Sequence, residues 1–326
     1  MRSKIKYYEL LGLFPVFLGN LKIPCIVAAV CLLFCAFPIQ IYSAGAARAA
    51  GGTLLLPSNA RCSSLAGAFS SINGDVYAIY KNPAGLSGIT KEQISTTYNK
   101  GFTDDYRASV VYGKALSSER RSGFAIGAFY LNGGKMEVNY VNGTSENLIA
   151  QSDFLFTAGW GGYTARNVSA GYAVKYFSTQ LVEEYKTWAV AADAGLLLHT
   201  GKKLKIGITA QNFGTKLTYR TTAESLPSLV SGGFSVDVFS GDNHSFILAG
   251  EADYILREKD YIYSSGMELG IYRKLFLRGG YWFYNEESKV TFGCGLKLFN
   301  AICLDVSGST NGMEADSYDV SFELKY

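Results

Sequence analysis

The chain has 326 residues, of which 17% are charged and 14% aromatic, with 36 glycines, 23 tyrosines, six prolines and a net charge of +3. So small a charge excludes a nucleic-acid binder, and with a mean hydropathy barely above zero the chain is not a bundle of transmembrane helices, which needs several long apolar runs. A charged fraction below the usual quarter, beside abundant aromatics, predicts a surface not wholly given to water.

The first element is a leader. Arg2, Lys4, Lys6 and Lys22 precede the apolar run 23–41, IPCIVAAVCLLFCAFPIQI, and the small residues of 43–47 follow it. Basic start, apolar middle and small-residue exit predict a secretory signal peptide over residues 1–46, cut between Ser43 and Ala50. An uncleaved anchor is the alternative, since the run is nearly long enough to span a membrane. Beyond the leader, Cys62, Cys294 and Cys303 are too few and too widely spaced for a disulfide framework. A bridge between Cys294 and Cys303 is conceivable, but small buried or lipid-facing side chains are the favoured reading.

Residues 47–91 do not read as part of the array that follows. Ser58 stands as a capping residue ahead of Leu65, Ala66, Ala68, Phe69 and Ile72, spaced for one short helix that Asn73-Gly74-Asp75 stops. A short extended piece is predicted over 76–80, where Ala78, Ile79 and Tyr80 are β-friendly. At Asn82-Pro83-Ala84-Gly85 the chain must turn, because Pro83 cannot donate a ladder bond and Gly85 loosens the backbone. The segment is either a soluble cap ahead of the first strand or a plug folded back inside.

From residue 92 the dominant period is two. Val168, Ala170, Tyr172, Val174 and Tyr176 alternate with Ser169, Gly171, Ala173 and Lys175; Tyr318, Val320, Phe322 and Leu324 alternate with Asp319, Ser321, Glu323 and Lys325. Turn signals such as Asn132-Gly133-Gly134, Asn142-Gly143, Thr200-Gly201 and Gly241-Asp242-Asn243 punctuate about fourteen strands. These lie near 92–99, 105–115, 122–131, 149–160, 167–180, 185–199, 203–212, 229–239, 244–256, 261–270, 272–283, 289–299, 301–309 and 317–326. Strands of roughly ten residues suit a tilted crossing of a hydrocarbon layer. A soluble sandwich or propeller would carry denser charge on its second face, whereas here that face is mostly Gly, Ser, Thr and Ala. The fold class read from this is all-β, a transmembrane antiparallel β-barrel over 92–326 with small residues inside and Tyr98, Tyr130, Tyr176, Tyr254, Tyr261, Tyr272 and Tyr284 at strand ends, suited to a membrane interface.

Charges on the inner face, with Glu251, Asp253, Arg278 and Asp305 as the candidate lumen lining, are of both signs. They are expected to pair with one another or with the plug rather than form a selective ring. His199 and His244 alone offer little to a metal cluster or a serine–histidine–acid triad. No cofactor, no metal and no enzymatic activity are expected.

The run SSLAGAFSSINGDVYAIYKNPAGL, ending in Asn82, Pro83, Ala84 and Gly85, resembles the N-terminal region of the FadL-like outer-membrane proteins, and in size and layout their PorV/PorQ-like branch. The resemblance implies a fourteen-stranded barrel in the outer membrane of a diderm bacterium, with an N-terminal hatch over 47–91 that ends in that motif. It also implies contact with outer-membrane lipid and a passage for hydrophobic or small solutes. For the PorV-like branch it implies instead a non-conducting barrel that handles secreted proteins in type IX export.

Overall fold

The computed structural model describes residues 51–326 apart from 102–103, 118–120, 142, 202, 286, 300 and 312–313. The expected signal peptide and residues 47–50 lie outside the described residues. The strands, in chain order, are β1 (Gln93–Gly101), β2 (Tyr106–Ser117), β3 (Ser122–Asn132), β4 (Lys135–Asn139), β5 (Ser145–Ile149), β6 (Gln151–Ala165), β7 (Val168–Leu181), β8 (Tyr185–Thr200), β9 (Leu204–Gly214), β10 (Leu217–Tyr219), β11 (Thr222–Glu224), β12 (Leu229–Ser240), β13 (His244–Ile255), β14 (Asp260–Ile271), β15 (Leu275–Tyr284), β16 (Glu287–Leu298), β17 (Ile302–Asn311) and β18 (Glu314–Lys325).

Fourteen of these form one closed antiparallel barrel, and β4–β5 and β10–β11 are separate two-stranded ribbons. The ring closes where β1 pairs with β18, from Gln93 opposite Lys325 to Gly101 opposite Ser317. Closure leaves no sheet edge, the condition for a sheet in lipid. Chain entrance and exit therefore share one rim, here the terminal rim, while both ribbons rise from the opposite, distal rim.

Alternation fixes which side chain faces where. On β8 the outward residues Trp188, Val190, Leu196 and Leu198 are exposed, Trp188 to 58%, whereas Ala189, Ala191, Asp193 and Leu197 are buried inside. Exposed Phe, Tyr, Leu and Val recur on the outer face of the other barrel strands. So continuous an apolar belt is the lipid-facing surface of a membrane-spanning barrel. The same alternation decides the cysteines. Cys294 faces out and Cys303 lines the interior, so the conceivable bridge is absent and both thiols are free.

Two of the glycine-free hairpin turns carry pairs of left-handed residues. Val182 and Glu183 (φ 49° and 58°) and Tyr272 and Arg273 (φ 51° and 55°) are successive left-handed residues, the backbone of a type I′ turn that matches strand twist. Tyr272 is thus a turn residue and β15 starts only at Leu275, later than the sequence pattern predicts.

Residues 51–91 run through the lumen as a plug. Helix α1 (Ala60–Ser64) packs on β15–β18 and the 3₁₀ turn Pro83–Gly88 packs on β3 and β6–β8, across the ring. Leu65, Phe69, Ile72, Val76, Tyr77, Ile79 and Leu86 bury against Val111, Ala125 and Ala173 of the wall, making the plug the barrel's hydrophobic core. Three local expectations are corrected. The cap is Asn59, not Ser58: its side chain accepts the Cys62 N–H at 2.8 Å. The helix is one turn, ending before Leu65, because Ala66 and Gly67 adopt left-handed φ of 56° and 86°. And 76–80 is not extended: Asp75 accepts the N–H groups of Tyr77 (2.9 Å) and, through its carbonyl, Ala78 (3.1 Å), starting helix α2 (Ala78–Lys81). Burial of Tyr77 and Ile79 against the wall overrides their strand propensity.

Candidate functional site

Asn82, Pro83, Ala84 and Gly85 sit inside the barrel, all buried. The Asn82 amide donates to the carbonyl of Ser70 in the plug (2.6 Å) and to that of Leu196 in β8 (3.1 Å), while its oxygen accepts the Ala84 N–H (3.1 Å). One side chain thereby caps the following turn and ties plug to wall. Pro83 occupies the first turn position, where a missing N–H costs nothing. A Cβ on Gly85 would lie 2.6 Å from the Ile72 carbonyl oxygen and 2.9 Å from the Ala78 methyl. The wall yields too: a Cβ at Gly171 of β7 would collide with the backbone of Pro83 and Ala84, which is why the inner face there is glycine.

The four charged residues read as lumen lining fall into two clusters, each completed by a cation of the plug. In the first, Lys81 Nζ lies 2.7 Å from Glu251 and 2.9 Å from Asp253, and the second Glu251 oxygen accepts the N–H groups of Phe69 (2.9 Å) and Ser70 (2.7 Å). In the second, Arg61 forks onto Glu268 (2.8 and 2.9 Å) and reaches Asp75 (3.3 Å). Arg278 shares that Glu268 at 2.6 Å and pairs with Asp305. Asp75, Arg61, Glu268, Arg278 and Asp305 thus form one chain of charges between plug and wall. Burial draws the Lys81 ammonium and the Arg61 guanidinium toward neutrality, but Asp253 and Glu251, and Glu268 and Asp75, outweigh it, so both stand above their ordinary values and remain cations.

Arg61, Lys81, Asp75 and Glu268 were not singled out from the sequence. A signal was present: Arg61 and Lys81 are the only cations of residues 51–90, and a cation inside a barrel needs an acidic partner. Elsewhere inside, Lys175 pairs with Asp193 (2.7 Å) and Lys205 with Asp237 (3.2 Å).

The two halves of the lumen differ. On the β3 and β6–β8 side, Leu217 of ribbon β10 and Leu226 fold inward onto Phe129, Leu155 and Phe177, a second apolar seal beneath the distal rim. On the other side, along β14–β18 and reaching β1–β3 at the distal rim, two cavities lie among the described residues. A distal vestibule of about 640 Å³ reaches α1 at Ser63, and a terminal chamber of about 150 Å³ reaches the same helix at Arg61. Helix α1, held by the Arg61 cluster, stands between them.

Cys62 of α1 tests the burial of this helix. Burial pushes its thiol up to about 12, cutting its thiolate fraction by ~10³ relative to a free cysteine. With Cys294 and Cys303 replaced by serine, maleimide labelling of the folded protein at neutral pH is expected to be slower than that of the unfolded chain by at least that factor. Equal rates would place α1 outside the barrel.

The barrel fold is shared with solved toluene transporters. The Pseudomonas putida toluene transporter TodX aligns over 82% of this chain and 96% of its own at 12% identity, with a TM-score of 0.61. The Ralstonia pickettii toluene transporter TbuX aligns over 82% and 98% at 12% identity, TM-score 0.59, and a Pseudomonas aeruginosa FadL homologue over 82% and 97% at 10% identity, TM-score 0.53. The likeness to these proteins is one of fold. No family model matches the chain, and no curated protein matches it in sequence.

Proposed function

We propose that this protein is an outer-membrane barrel of a diderm bacterium that passes hydrophobic or small solutes, closed at rest by its N-terminal plug. The carrying observation is the pair of cavities meeting α1 from opposite rims along β14–β18, a route interrupted by one turn of helix and one charge cluster. The apolar outer belt supports the membrane location, and the toluene transporters of like fold support the solute class. In cells making the protein, uptake of the hydrophobic dye N-phenyl-1-naphthylamine is expected to exceed that of cells making none; equal uptake overturns the reading.

A second reading, a non-conducting barrel of the PorV/PorQ-like branch that docks secreted proteins, draws on the double seal of plug and inward-folded β10 region. Co-purification of exported cargo, with no dye uptake, would favour it.

A further inference from the structure

The distal vestibule differs in chemistry from a hydrocarbon site. Its floor and one side are apolar, from Leu55 and Leu56 of the plug and Ile262 of β14. Trp282 and Tyr284 of β15 line it next to Ile262, the register partner of Tyr284, and Trp282 is the inward-facing tryptophan of the described chain, since Trp188 and Trp160 stand on the outer face. Four carboxylates line it, Asp105, Glu258, Asp260 and Asp319, against two cations, Arg107 and Lys289.

The pairing of these charges is uneven. Arg107 is spent on Asp319 (3.7 Å) and Asn99 (2.9 Å). Glu258 accepts from the neutral Tyr284 hydroxyl at 2.5 Å and Asp260 from the Tyr261 N–H at 2.8 Å. Among the described residues neither Glu258 nor Asp260 has an ion-pair partner. Lys289 already holds an ammonium 6.0 Å from the centroid of the Trp282 ring, the geometry in which an indole face attracts a cation. A cavity with an aromatic wall, an apolar floor and an excess of carboxylate at its rim attracts positive charge and repels carboxylates.

We infer that the vestibule is a binding site for small organic cations bearing an apolar or aromatic body, with Trp282, Glu258 and Asp260 as its specificity-determining residues. Because it names the solute class of the passage proposed above, the site rests on that reading for its role but not for its affinity.

The test uses full-length mature protein in lipid nanodiscs with Trp160→Phe and Trp188→Phe, so that Trp282 is the sole tryptophan and its emission is read by selective excitation. It is titrated with benzyltrimethylammonium, with its neutral isostere neopentylbenzene, and with phenylacetate. The cation is expected to bind at least about tenfold more tightly than the isostere, and phenylacetate more weakly than either. Glu258→Gln with Asp260→Asn should erase that preference while leaving neopentylbenzene binding within about twofold. Equal binding of cation and isostere, a preference that survives the double substitution, or no quenching by any of the three overturns the site. Flux through vesicles separates the two readings: preferential binding without transport of either solute removes the passage and keeps the site, whereas transport of both without preference does the reverse.

Discussion

Replacing Lys81 with methionine is expected to unlatch the plug without opening the barrel wall. The substitution keeps the apolar stem of the side chain and removes the charge that Glu251 and Asp253 share, at 2.7 and 2.9 Å. Two buried carboxylates then face each other, of which Glu251 keeps the plug's Phe69 and Ser70 N–H groups as donors, and breaking a buried pair from one end costs about 3–5 kcal/mol. The wall is held by fourteen ladders of backbone hydrogen bonds that do not involve Lys81, so the plug yields first. Protease sensitivity of residues 51–91 and bilayer conductance should both rise, while the heat-dependent gel mobility of a closed barrel is retained. Adding Glu251→Gln and Asp253→Asn removes charge from both sides and is expected to restore closure in part. A Lys81→Met protein as tight and as protease-resistant as the parent would show that the pair does not hold the plug.

The pH course follows from the sign of the shift. Lys81 is held above its ordinary value of 10.5, so its contribution to closure is complete below that pH and fades only as pH rises beyond it toward the folded-state value. Arg61 behaves alike, from a higher starting point. On the alkaline side the Lys81 charge is therefore expected to hold the latch up to about pH 10, with opening only above that.

The wall and the existence of a plug were legible in the sequence, but the plug's internal structure and its contacts were not, for a physical reason. A strand declares its faces through a period of two, and inward Gly171 or Ala173 against outward Tyr172 or Val174 states the curvature and the solvent at once. What that period does not state is partnership across the lumen. Arg61 and Glu268 are separated by 207 residues, and Phe69 and Glu251 by 182; alternation says that Glu268 points inward, not what it meets. The plug has no period to read, since its helices are single turns whose ends are set by Asn59, Asp75 and Asn82 and by contact with the wall. Asn82 to Gly85 stood out because a turn leaves a compositional mark. Lys81, one residue earlier, leaves only the fainter mark of a rare cation in its segment. The ribbon β10–β11 escaped for a related reason: Leu217 is buried only because Phe129, Phe177 and Ala189 of other strands converge on it.

Deleting residues 58–85 is expected to convert a closed barrel into an open pore. The segment carries α1, α2, Arg61, Lys81 and Asn82, and its side chains fill the lumen against Val111, Ala125 and Ala173. Without it the inner face presents Ser, Thr, Gly and a set of charges, Glu251, Asp253, Glu268, Arg278 and Asp305 among them, to water. A polar lumen of this kind fills with solvent, as in porins, and once hydrated the carboxylates no longer need the plug cations. The wall is expected to persist because its hydrogen bonds close from β1 through β18 without the segment. Conductance in planar bilayers should rise at least about tenfold over the intact protein, in steps of constant size. The retained Leu217 and Leu226 seal keeps part of the β6–β8 half narrow, so Leu217→Ser in the deletion background should raise the step further. An unchanged leak after the deletion, in protein that still shifts mobility on heating, would mean that the lumen is closed by something other than its own N-terminal segment.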